Sequence, residues 1–193
     1  MSRRRTALLP LIGLAVLAIG ARESGDSPAA AETEPKPRPH GSLEKCATKS
    51  MAHFPGGFTS PRNLVVGPLV FVGAGGTPEY VEESGGQKFQ LLVHNGHRVT
   101  VALPRRAREG GAGLAYGRLP RGEVTVDEAH RVVRFVACRR GQNSGSSADG
   151  IPVTFWSGGV LADSARCVPL RIRVDDERSP RRALIRLGVD SCG

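Results

Sequence analysis

From residue 64 onward the chain alternates short apolar runs with clusters of Gly, Pro, Asn and Asp. Runs rich in Val, Leu, Ile and Phe fall at 64–72, 88–93, 97–103, 123–126, 131–138, 153–156, 168–174 and 182–189. Runs of this length bounded by turn formers read as strands. A sustained 3.6-residue period free of Gly and Pro is missing after the leader, and the one short helical candidate is 43–53, which carries Cys46. The pattern predicts an all-β domain of about eight short strands, either an antiparallel sandwich of immunoglobulin-like type or a barrel.

Two hairpins follow from the alternation. Asn95-Gly96 is a strong turn dipeptide, but a two-residue loop would set Leu91 and Val93 on the face opposite Val99 and Val101. A three-residue loop, His94-Asn95-Gly96, with Gly96 at positive φ, restores the parity and pairs Phe89 with Val101 and Leu91 with Val99. In the second hairpin Val168, Leu170, Ile172 and Val174 alternate with arginines, and Ala183, Ile185, Leu187 and Val189 supply a matching apolar face. Pairing Val174 with Ala183 aligns both sets and exposes a loop over 175–182.

The first residues have a different pattern. Arg3-Arg4-Arg5 leads into an apolar run over 7–21 with small residues after it, the layout of an export signal. The run contains Pro10 and Gly13 and is shorter than the roughly 20 apolar residues a membrane-spanning helix needs. Residues 1–31 are therefore expected to be a cleaved signal peptide, with an uncleaved N-terminal anchor as the alternative. Residues 32–41, with Glu34-Pro35-Lys36-Pro37-Arg38-Pro39, read as a disordered Pro-rich linker. Residues 42–193 then form one domain.

Composition changes the picture in one respect. The net charge is +9, with 23 arginines against four lysines, a bias that looks like the coding habit of a GC-rich bacterial genome. A basic surface outside the cytoplasm attracts acidic polymers by long-range field and counterion release. Aromatic residues are only 5% of the chain. Without aromatics interleaved among the basic residues there is no stacking platform, which excludes nucleic acid as the expected partner.

All four cysteines follow the signal, in a chain expected to meet an oxidising compartment, so they are read as two disulfides. Three connectivities are open. The second hairpin places Cys167 and Cys192 on one non-core face, two residues out of opposition, which favours Cys167 with Cys192 and leaves Cys46 with Cys138. The cysteine spacings do not resemble a zinc site, and neither metal nor cofactor is expected.

Candidate chemistry is sparse. His94 and His97 bracket the first turn, and Ser157 lies in Trp156-Ser157-Gly158-Gly159, although Phe155 stands where a nucleophile elbow wants glycine. Gly73-Ala74-Gly75-Gly76 follows a strand, but Thr77-Pro78 continues a turn where a phosphate-binding loop would open a helix. Arg171 and Arg186 fall opposite each other in the proposed register, beside Arg173. Like charges facing each other are unfavourable unless an anion lies between them, so these three arginines form a candidate anion patch, against which Asp175, Asp176, Glu177 and Asp190 stand as possible neutralising groups. The expected function is that of a secreted or cell-surface, non-catalytic domain that binds an acidic envelope polymer or another envelope protein. It would touch membrane only through an uncleaved N-terminal segment. The alternatives are a small secreted hydrolase using Ser157 with His94, His97 or His130, and an inert structural domain.

Overall fold

The structure is a computed structural model that describes residues 41–118 and 124–192. The expected signal and the linker up to residue 40 lie outside the described residues, as does Glu123. Among the described residues strands make up 45% and helices 7%, which places the chain in the all-β class.

Three sheets share the strands. The five-stranded sheet has the order β1 (Ser42–Lys45), β9 (Val132–Val136), β7 (Arg98–Ala102), β13 (Arg166–Val174), β14 (Arg181–Leu187). Its pairs are antiparallel except β1 with β9. The six-stranded sheet runs β2 (His53–Phe54), β10 (Ser147–Ala148), β11 (Ile151–Trp156), β6 (Leu91–His94), β4 (Leu69–Phe71), β3 (Leu64–Val66). The three-stranded sheet is β5 (Gly86–Lys88), β12 (Gly158–Ala162), β8 (Ala112–Tyr116). One turn of helix, α1 (Arg105–Glu109), follows β7. The six- and three-stranded sheets meet where two strand pairs continue across a bend, Gly159 lying opposite Lys88 and Trp156 opposite Leu91. Tyr116 Oη donates to the Phe89 carbonyl at that bend (3.1 Å).

One main core joins inward residues of all three sheets, among them Phe71, Leu91, Val99, Leu114, Phe135, Val160, Ile172 and Leu187. A second cluster, Val70, Leu92, Ala148, Val153 and Phe155, lies on the other face of the six-stranded sheet, with Ala52, Phe54 and Phe58 packed against it. Asp149 clamps that cover: its carboxylate accepts the backbone N–H of Gly56 and of Phe58 (2.8 Å to the latter).

Several expected elements differ. The run 64–72 is a hairpin, because Gly67-Pro68 turns the chain and sets Val66 opposite Leu69. Residues 43–53 begin as β1 and continue as a 3-10 turn (Cys46–Thr48). Residues 124–126 lie outside any strand.

The first expected hairpin does not form. Gly96 has the positive φ expected of it, 94°, yet β6 pairs with β4 and β11 while β7 pairs with β9 and β13. The segment His94-Asn95-Gly96-His97 carries the chain from one sheet to the other. The reason is in β6 itself, where Leu91, Leu92 and Val93 are all fully buried. A strand apolar on both faces belongs inside a covered sheet, and both its edges are then taken.

The second hairpin forms with its core face as expected, but in a register four residues away. Val168 faces Ile185, Leu170 faces Ala183 and Arg171 faces Arg182. Gly188, at φ +65°, ends β14 where the expected register would have continued it. Arg173 and Val174 pair with β7 alone. A shift of even length keeps every side chain on its face, so the core assignment survives for Ala183, Ile185 and Leu187, while Val189 falls beyond β14 and outside the core.

Candidate functional site

The outer face of the five-stranded sheet is the site the geometry singles out. Side chains alternate across a strand, so the residues beside the buried Val133, Phe135, Val99, Val101, Leu170, Ile172 and Ile185 point outward. Those outward positions include Lys45, Arg134, Arg98, Arg171, Arg173, Arg182 and Arg186, and no acidic residue occupies an outward position on any of the five strands. All except Arg186 are exposed. Arg171 lies directly opposite Arg182, and Arg134 and Arg173 flank Thr100 in one cross-strand row.

The acids suggested by the sequence as neutralising groups serve only one end of this face. Asp176 reaches Arg98 (3.3 Å), and Glu177 pairs with Arg181, which lies on the inward parity of β14. Asp175 accepts the Arg98 backbone N–H (2.8 Å) and meets His97 Nδ1 (2.8 Å). Asp190 offers Arg186 a backbone carbonyl (3.0 Å) instead of its carboxylate. Among the described residues no acidic side chain lies within ion-pair distance of Arg134, Arg171, Arg173 or Arg182.

Of the three arginines expected to form a patch, Arg171 and Arg173 are central. Arg186 lies opposite Cys167 at the sheet's edge, and its expected place opposite Arg171 is taken by Arg182. Lys45, Arg98 and Arg134 were missed, and Arg182, expected in the exposed loop beside the patch, lies on β14. The alternation Val133, Arg134, Phe135 would have identified Arg134 as outward, but only the strand order could bring β9 alongside β13.

The cysteines pair as Cys46 with Cys138 and Cys167 with Cys192, at Cα separations of 4.7 and 5.9 Å. The first bond ties the end of β1 to a fully buried position beyond β9. No free cysteine remains among the described residues. Two disulfides suit an oxidising environment outside the cytoplasm, and among the described residues no helix is long and apolar enough to cross a membrane.

The residues proposed for a hydrolase lie apart. His94 faces Val153, four residues along β11 from Ser157, or roughly 13 Å at strand rise. It packs on Phe58, with ring centroids 4.0 Å apart, and burial, helped by His97, lowers its pKa. His97 is engaged by Asp175, and His130 is buried at a bridge to Leu114. The Gly73–Gly76 loop spends its amides internally, Gly73 N on Asn63 Oδ1 and Gly75 N on the Arg62 carbonyl, both 2.8 Å.

The molecule is thus an all-β, disulfide-bonded domain with one basic sheet face. No protein-family model, curated protein or solved structure matches the chain.

Proposed function

We propose that this is an exported, non-catalytic β-domain of sandwich type that binds an acidic polymer of the cell envelope through the outer face of its five-stranded sheet. The observation that carries the reading is the set of outward cations with no outward acid, including four arginines that have no acidic partner among the described residues. Arginines held opposite one another are unfavourable in the free protein and become favourable when an anion lies between them. A sheet fixes its Cα positions, so little backbone ordering opposes association.

Fluorescence anisotropy with a labelled polyuronate, and separately with polyphosphate, tests this. Binding is expected to weaken linearly in log K against log salt, because counterions are released. The triple variant Arg134→Ser, Arg171→Ser, Arg173→Ser is expected to bind about tenfold or more weakly at 0.1 M salt and to show a shallower slope. Affinity and slope equal to those of the unaltered protein would remove the sheet face from the reading.

A further inference from the structure

On the inner side of the five-stranded sheet, a carboxylate lies buried without an ion-pair partner among the described residues. Glu44 pairs with Phe135 across β1 and β9 and therefore points to the inner side of the sheet, where it is 6% exposed. Ser42 Oγ donates to its Oε1 and Thr48 Oγ1 to its Oε2, both at 2.9 Å. Its carboxylate is seated against Gly117, where any Cβ would collide with Oε1 and with Ser42 Oγ. Among the described residues no Lys, Arg or His lies within ion-pair distance of it.

This carboxylate lines a cavity of about 370 Å³ whose walls also include Leu43, Trp156 and Ser157. A buried anion is costly unless it is paired. The two hydroxyls fill only half of the roughly four acceptor positions of a carboxylate. The open half calls for a positively charged donor.

We infer that the Glu44 cavity binds a primary alkylammonium group. An ammonium has three donors, and the cavity offers the free lone pairs of Glu44 together with the hydroxyls of Ser42 and Ser157. Trp156 supplies an apolar wall for the alkyl chain. A divalent metal is the poorer fit, since no group of three or more His, Cys, Asp or Glu among the described residues is placed to hold one. Arg118 also lines the cavity, at its exposed side, and is the chain's own competitor for the position.

Trp156 is the single tryptophan, so its fluorescence reports occupancy directly. Titration of the full chain with pentylammonium chloride is expected to give a saturable change, with 1-pentanol at least tenfold weaker. Glu44→Gln keeps the shape and is expected to lose the preference for the amine. Ser157→Leu, at an exposed rim position, is expected to block the amine even if the Glu44 variant does not fold. Nα-acetyl-lysine amide binding tighter than pentylammonium would indicate a peptide-borne amine, and the reverse a free amine. Equal binding of pentanol, no saturable change in the unaltered protein, or full binding by Ser157→Leu would overturn the proposal.

Discussion

Single polar residues hold this fold at its least regular points. Asn95 is buried where the chain passes between sheets: its Nδ2 donates to the Gln142 carbonyl (3.0 Å), and its Oδ1 accepts from Thr154 Oγ1 (2.7 Å), which in turn accepts the Cys138 N–H (2.7 Å). Each buried group is matched, which is the condition for such a network to specify structure. Asp149 does the same for the segment over the second core. Its pKa lies below the ordinary aspartate value, first because of the Phe58 N–H bond, with burial opposing and the Gly56 and Thr59 bonds adding to the lowering. A carboxyl with a lowered folded-state pKa contributes stability that is complete above its unfolded pKa and is lost as pH falls through the folded one. Asp149→Asn tolerates the positive φ of 50° and removes the charge together with one of the two acceptor oxygens, so only one of the Gly56 and Phe58 N–H bonds is kept. The variant is expected to melt about 3 °C lower at pH 7, and the gap is expected to shrink below pH 3.8, the ordinary value for the group. Paired thermal melts at pH 7 and pH 2.5 measure both effects.

Elements were legible where one face is buried and opaque where both are. The alternation over 168–174 and 182–187 gave the strands and their core face, because polar residues mark the outward side; only the register needed Gly188. In 91–93 the apolar run is continuous and both faces are buried, so parity gives no sign of which strands lie beside it and the partners of β6 were misjudged. The basic face was legible at Arg171 and Arg173 for the same reason that β13 was, whereas Arg134 and Lys45 join it through the strand order β1-β9-β7-β13. Glu44 gave no signal, since nothing local distinguishes an inward carboxylate on a four-residue edge strand. That strand is secured by Cys46–Cys138, which closes 92 residues, against 25 for Cys167–Cys192. On the chain-entropy model the longer closure stabilises by about 4–5 kcal/mol and the shorter by about 3–4. Urea denaturation of the two paired Cys→Ala variants is expected to show the larger loss for Cys46/Cys138. The reverse order would mean that native-state packing at Cys167 outweighs loop length.

At the scale of the molecule, the outward face of the five-stranded sheet carries cations and no acid. Glu79, Glu82 and Glu83 precede β5 of the three-stranded sheet. A folded state that sets Arg171 opposite Arg182 gives up stability that a single opposite charge would recover. The variant Arg182→Glu converts the like pair into an opposite one. Its expected gain is about 0.5 kcal/mol, or roughly 1–2 °C for a domain of this size, with the larger share at low salt because both groups are exposed. The same change places an anion within the proposed polymer path and is expected to weaken polyuronate binding about threefold to tenfold. Melting temperature and polymer affinity therefore move in opposite directions if the face is a binding surface. If it is only a solvated sheet face, the melting temperature rises while residual polymer affinity stays where it was.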